Sequence, residues 1–369
     1  MRKVKLGETL SVKHGWSFKG EYFAESGEQS LLTPGNFYEK GGFKHNNGKE
    51  RYYTDKYPEE YLCHKGDLVV AMTQQAEGLL GSTALVPEDN KYLHNQRIGL
   101  ITCDGTQLNK LFAYYLFMTK SVREQLERSA SGTKVKHTSP ERIYDVEVEI
   151  PDLSSQEKIA KLLMAIDGKI NANISINDNL SAMAYDIYMH SFYGRKPNGK
   201  LDNILIENEK SKVQVGEAKD SDGDYPFFTS GEAILRWNDD FVDGRNCFLN
   251  TGGNADVKFY VGKAAYSTDT WCISANQNLA DYMYLFLMSI KPELNKKFFQ
   301  GTGLKHLQKP LLRDRPIYIP ATDEISSFNS QVQHWFDIIG ENTRENQHLT
   351  ALKDWLLPML MNGQATICE

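Results

Sequence analysis

The stretch SQEKIAKLLMAIDGKINANISINDNLSAMAYDIYMHS, residues 155–191, decides how this chain is read. It has no proline and a lone glycine, Gly168. Ile159, Leu163, Ile166, Ile170, Asn173, Asn177, Leu180, Ala184 and Ile187 follow one another at alternating steps of four and three. That is the spacing of a coiled-coil seam. Two of its slots hold asparagine where apolar residues belong, and amides there lower stability while fixing register. At 1.5 Å per residue, ~35 residues reach roughly 50 Å, more than one small core needs. The stretch is expected to be a spacer helix.

A shift of 169 residues brings the pattern back. Phe328, Val332, Trp335, Ile339, Asn342, Asn346, Leu349, Lys353 and Leu356 fill the same slots, and Lys353 alone breaks the series. The same offset superposes Tyr115-Leu116-Phe117 on Tyr284-Leu285-Phe286, Gly132-Thr133 on Gly301-Thr302, Lys136-His137 on Lys305-His306, and Ile150-Pro151 on Ile319-Pro320. So many identities in one register, several at polar positions, predict a duplicated chain. Two like helices joined through a globular unit are expected to pack antiparallel. That would bring Asn173 and Asn177 to the level of Asn342 and Asn346, where amides pair across a seam. The second helix is expected over 324–361, with Pro358 interrupting its last turn.

Outward from the helices, two similar α/β units are expected. In the first, strands are predicted at 68–72 in KGDLVVAMT, in GSTALVPED and at 98–102. One helix should cover LNKLFAYYLFMTKSVREQLERSA, followed by the polar segment SGTKVKHTSPER and the strand VEVEI. Serine 154 or 155 is expected to cap the long helix. In the second unit LDNILIE takes the place of LGETLSV, DGRNCFLNT that of KGDLVVAMT, DVKFYVG that of GSTALVP, and DTWCIS that of RIGLIT. Gly132 lies 126 residues beyond Leu6 but Gly301 only 100 beyond Leu201, so the second unit is shorter by 26, all of it early. The expected class is α+β, with two tandem recognition domains and two long antiparallel helices in an internal repeat. The expected boundaries are 1–151, 152–196, 197–320 and 321–369.

Composition narrows the function. A formal charge of −6 argues against a protein that coats nucleic acid, though not against local basic patches. Five scattered cysteines without a C-x-x-C pair read as reduced thiols rather than zinc ligands or disulfides. MRKVKLGETLSV lacks the apolar segment of a signal peptide, and no apolar run is long enough for a membrane span. G-x-x-x-x-G-K-[ST], G-x-S-x-G and H-E-x-x-H are all absent, as is the Asn/Asp-Pro-Pro-Tyr run of amino-methyltransferases. Pro151-Asp152 before Gln156-Glu157-Lys158 has the wrong spacing for a nuclease motif. The nine histidines show no metal spacing.

A binding signature remains. Residues 291–315 hold seven Lys or Arg against two acids. The basic segments nominate Arg128, Gly132, Thr133, Lys134, Lys136 and His137 in the first unit, and Lys297, Gly301, Thr302, Lys305, His306 and Lys309 in the second. Cations with a neighbouring glycine suit phosphate contact. Loops early in each unit nominate Gln74, Gln75, Asn95, Gln96 and Arg97, and then Thr229, Ser230, Asn250 and Asn254, as readers of base edges. Trp16, Phe18, Tyr52 and Tyr53 are expected to pack rather than stack on bases.

The order of variable unit, long helix, variable unit, long helix, with KGDLVVAMT, YPFFTSG and the Gly-Thr segment before VEVEIPDLSSQEKIAKLL, resembles the specificity subunit of a type I restriction-modification enzyme. The resemblance implies two target recognition domains, each reading one half of a split site in double-stranded DNA. It implies helices that set the spacing and dock two methyltransferase subunits. S-adenosylmethionine would sit on those partners, with no cofactor on this chain, and a restriction or translocase subunit would be a further partner. A cytoplasmic, non-catalytic protein is expected. The rival reading is a two-lobed adaptor for other proteins with no DNA role.

Overall fold

The computed structural model describes residues 1–46, 48–74, 76, 78–132, 135–276 and 278–367. Three expected site residues, Gln75, Thr133 and Lys134, lie outside them, as does Cys368. The chain forms two compact units, Met1–Asp167 with Ala351–Glu369, and Gly168–Thr350. Both long helices are present, Leu153–Ser191 and Thr322–Met361. The division between units falls inside each helix, so each helix serves two cores.

Within the first unit an antiparallel sheet runs in the order Leu10–His14, Ile98–Cys103, Leu68–Ala71, Thr83–Leu85. Within the second the order is Leu205–Glu207, Thr270–Ala275, Arg245–Asn250, Val257–Val261. LVVA is apolar at every position because both its faces are covered. Side chains alternate across a strand, so Leu68 and Val70 enter the core with Phe112 and Tyr115. Val69 and Ala71 enter another with Leu32, Phe37 and Tyr92. Arg245–Asn250 divides likewise: Cys247 and Leu249 face the helices, and Phe248 stacks on Phe228 at 4.1 Å. Each large apolar side chain so buried contributes about 1.5–3 kcal/mol.

Strand pairing tests the internal repeat residue by residue. Leu10 pairs with Cys103 as Leu205 pairs with Ala275, which supports the alignment of LGETLSV with LDNILIE. The next segment shifts. Leu68 pairs with Ile101 and Cys247 with Ile273, so Leu68 corresponds to Cys247 and not to Asn246. DGRNCFLNT holds the place of KGDLVVAMT one residue out of register.

Three local expectations are corrected. Asp152, rather than Ser154 or Ser155, caps the first long helix: its carboxylate accepts from the Ser155 backbone N–H at 3.0 Å and the Ser155 hydroxyl at 2.9 Å. Pro358 does not interrupt the second, which runs on to Met361 with Asn362 donating back to the Pro358 carbonyl at 3.0 Å. One missing donor on an exposed face near a helix end is tolerated. The helix expected near 108–130 is two, Lys110–Leu116 and Lys120–Ser129. Side chains satisfy carbonyls at the break: the Thr119 hydroxyl donates to Leu116 at 2.7 Å and the Arg123 guanidinium to Phe117 at 2.6 Å.

The helices are antiparallel. In the second unit Asn173 donates to the Asn346 amide oxygen at 2.9 Å and Asn342 to that of Asn177 at 2.8 Å. Phe192 packs edge-on against Phe328 further along. In the first unit Ile159 and Leu163 share a core with Leu360 and Met361, and Lys353 reaches Asp167 at 2.7 Å. The asparagines therefore sit in the seam. A slip of one heptad would break both amide pairs, each worth about 1 kcal/mol.

Candidate nucleic-acid interface

The Gly-Thr segments are tight loops closed on themselves. Ser131 and His137 exchange backbone hydrogen bonds at 2.9 and 2.8 Å. Gly132 has φ +98°, and a Cβ there would run into the Val135 carbonyl oxygen. Gly301 has φ +152°, and its Cβ would meet the Leu304 carbonyl oxygen at 2.5 Å. Only glycine fits either site without displacing backbone. Loop closure thus accounts for the recurring glycine without any appeal to phosphate.

Each loop is stitched to the end of a central strand by the same bonds. In the first unit Gln74 N–H donates to the Lys136 carbonyl at 2.9 Å, and Thr138 N–H to that of Met72 at 2.9 Å. In the second, Gly253 N–H donates to the Lys305 carbonyl and Leu307 N–H to that of Thr251, again at 2.9 Å. Thr73 bridges His137 as Gly252 bridges His306. The strand end also holds a third candidate segment, because Met72 N–H donates to the Arg97 carbonyl at 2.9 Å. So Gln74, Asn95-Gln96-Arg97 and Lys136-His137, remote in sequence, meet at one edge of the first unit. Asn250, Asn254, Lys305 and His306 meet at the equivalent edge of the second.

The side chains differ in how free they are. Asn250 is buried and holds its own loop, donating to the carbonyls of Gly252 at 2.7 Å and Asn254 at 2.5 Å and accepting from Asp256 N–H at 2.8 Å. Thr229 is buried in a separate turn, its hydroxyl donating to the Ala233 carbonyl at 2.7 Å, and Lys258 grips the Thr229 carbonyl at 3.0 Å. Ser230 beside it is half-buried. The Asn95 amide oxygen accepts from Arg97 N–H at 3.1 Å, which leaves Gln96 and Arg97 exposed on a fixed turn. His137 Nδ1 lies 3.0 Å from the Thr73 hydroxyl. Gly301, Thr302, Asn254, Lys305 and His306 are exposed.

Most of the basic residues nominated by sequence are already paired. Arg128 pairs with Glu124 at 3.0 Å, Lys136 with Glu127 at 3.8 Å, and Lys297 with Glu293 at 3.1 Å. Lys309 pairs with Glu207 at 2.8 Å and lies over the Trp271 ring at 4.7 Å. Such exposed pairs are worth about 0–1 kcal/mol and exchange readily for phosphate. Lys305 has no ion pair among the described residues. Sequence patterns passed over Lys49 and Arg51. With Thr33 and Arg97 they line a groove of about 370 Å³. The run NNGKER carried no signal for them, since Glu50 stands between the two cations.

Other expectations on individual side chains can be placed. His94 is buried and bonded to the Ile98 carbonyl at 2.8 Å, and burial lowers its pKa to about 4. It is a core histidine. Phe18 and Tyr53 are buried and pack with Trp16 as an aromatic cluster. The four described cysteines are free thiols. Among the described residues no three His, Cys, Asp or Glu side chains converge as a metal site, and no helix is long and apolar enough to cross a membrane.

Comparison with known proteins bears on both units. The family model described as the type I restriction modification DNA specificity domain matches residues 1–180 and 199–349. The specificity subunit of the type I restriction enzyme MjaVIII from Methanocaldococcus jannaschii is 25% identical over 168 residues, 45% of this chain and 39% of that protein. The MjaIX specificity subunit of the same organism is 20% identical over 300 residues, 70% of this chain and 69% of that one. The match thus spans well under half of the first relative and about two thirds of the second. The crystal structure of the type I restriction-modification system S subunit from M. genitalium shares the fold, with a TM-score of 0.64 at 15% identity over 98% of this chain and 96% of that one. Since the family model covers nearly all of both repeats and the strand registers show those repeats to be one scaffold used twice, this chain belongs to the family of type I restriction-modification DNA specificity proteins.

Proposed function

We propose that this chain is the sequence-reading subunit of a type I restriction-modification complex and recognises a split, asymmetric site in double-stranded DNA. Residues 1–151 read one half and residues 197–320 the other. Residues 152–196 and 321–369 carry the spacer helices, which set the gap and dock two methyltransferase subunits. Those subunits bind S-adenosylmethionine and methylate adenine, and a restriction or translocase subunit joins them in the full assembly. The chain itself binds no cofactor, performs no chemistry and works in the cytoplasm.

The observation that carries this reading is the repeated clasp. The same three-point stitching holds Lys136-His137 and Lys305-His306 against the ends of equivalent strands, while the adjoining side chains differ. A common frame with unlike loops suits two unlike half-sites, because phosphate contacts position a protein while base contacts specify the sequence. Continuous helices of 39 and 40 residues suit a fixed gap between them.

Mapping methylated adenines in cells that carry the chain with its methyltransferase subunits tests the reading. Two short blocks separated by a constant run of unread bases are expected. Exchange of residues 15–63 for those of a relative should rewrite one block and leave the other. A continuous site would rule out the two-domain reading. A methylation pattern indifferent to the exchange would favour the adaptor.

A further inference from the structure

We propose that the two units hold DNA unequally, with the first carrying most of the salt-sensitive grip through the groove formed by Lys49, Arg51 and Arg97. This rests on the DNA reading above and adds a division of labour to it.

The argument starts from which cations are free. The first unit has six arginines among the described residues. Arg2 bonds Gln107, Arg123 is tied to backbone carbonyls, Arg128 pairs with Glu124, and Arg142 bonds Ser131 and His137. Arg51 and Arg97 are the remaining two, and they have neither an ion pair nor a side-chain hydrogen bond among the described residues. They line the same groove, with Lys49 as a third exposed and unpaired cation. Its other polar lining, Thr33, Asn46, Asn95 and Gln96, brings no negative charge. Glu25 and Glu50 border Lys49 and Arg51 on the neighbouring face without forming an ion pair with either, so a phosphodiester entering the groove meets three cations and no carboxylate. The Arg97 backbone is bonded to Met72, whose carbonyl accepts from Thr138 in the clasp, so the groove adjoins the proposed reading edge.

The second unit is built otherwise. Its loops over 208–244 hold nine acids against four Lys or Arg, whereas 15–63 in the first hold eight against six. Of the second unit's six arginines, Arg195, Arg236, Arg245, Arg313 and Arg315 are each committed to carboxylates, and Arg344 alone has neither an ion pair nor a side-chain hydrogen bond among the described residues. An acidic rim repels phosphate, so this unit must rely on short-range contacts from residues such as Lys305 and Asn254.

The test is the salt dependence of binding of a random-sequence duplex pool by the full chain. The slope of log K against log salt changes by about 0.9 for each phosphate that the protein ceases to neutralise. The variant carrying Lys49→Gln, Arg51→Gln and Arg97→Gln should flatten the slope by about 2–3 and weaken binding more than roughly tenfold at low salt. The matched variant in the second unit, Lys210→Gln, Lys212→Gln and Lys305→Gln, should flatten it by less than about 1. All six positions lie outside the buried cores, and thermal melts check that both variants fold. Equal flattening by the two variants, or none from the first, would overturn the proposal. So would displacement of the duplex by a mononucleotide at similar concentration, which would assign the groove to a small phosphate ester. A wild-type chain that enriches no sequence and binds no duplex would overturn the DNA reading itself, an outcome distinct from all of these.

Discussion

Asp167 and Phe336 stand at equivalent places in two copies of one scaffold, 169 residues apart, and each fixes a long helix to its own unit by opposite means. Asp167 accepts from the Tyr115 hydroxyl at 2.6 Å and pairs with Lys353 at 2.7 Å. Phe336 is buried against Tyr284 and Phe259, with ring centroids 5.7 and 5.1 Å away, and the counterpart of Lys353 is the buried Ala184. The lone break in the heptad series is therefore half of an ion pair. The second unit places its polar lock elsewhere. Arg245 bonds the buried Asp281 at 2.7 Å and also pairs with Asp337 on the helix. The 169-residue counterparts of those acids are Phe112 and Gly168. One packing solution thus tolerates a polar or an apolar filling, provided that every buried charge keeps its partner.

The largest effect should come from Arg245→Met. It leaves Asp281 buried without its cation, and the second unit should lose about 3–4 kcal/mol. Hydrogen exchange, read separately for each unit, measures this; a loss shared by the first unit would break the assignment. A pH series on Asp281→Asn sharpens it. Burial raises the Asp281 carboxyl to about 6, against the pull of Arg245. Its folded pKa lies above its unfolded one, so its contribution is full below about pH 4 and lost as pH rises through about 6. The wild type should lose stability relative to Asp281→Asn over that window, on the order of 2–3 kcal/mol.

Asp167→Ala should cost the first unit about 2 kcal/mol, since Lys353 and the Tyr115 hydroxyl lose their acceptor. Writing the second unit's residues into the first, Asp167→Phe with Lys353→Ala, should recover about half of that if the fillings are interchangeable. No recovery would show that the backbones have diverged. Asn173→Leu should have the smallest effect, within about 1 kcal/mol. It removes donors to Glu345 and Asn346 but also an amide oxygen that has no partner. The second unit should stay folded with looser helix register, read as faster exchange around 170–177. Unchanged exchange there would show the amide to be dispensable.

The candidate interface was only half legible. Lys136-His137 and Lys305-His306 could be nominated because they recur at one offset, and the structure sets both in equivalent clasps. Lys49 and Arg51 could not, because they are singled out by lacking an ion pair among the described residues, and no local pattern records that. Asn250 and Thr229 looked like readers of bases because asparagine and threonine serve equally in turns. Here both hold turns.

What the sequence determined by itself was the duplication, the two helices with their amide levels, and the family. Each of these rests on periodicity or on identity at a fixed offset, and such signals survive in one dimension because neighbouring turns of a helix impose them. What only the tertiary structure decided was the one-residue shift of the central strand and which cations are neutralised. Those depend on groups far apart in the chain, as Lys353 is from Asp167, and on whether burial makes an unpaired charge too costly to leave alone.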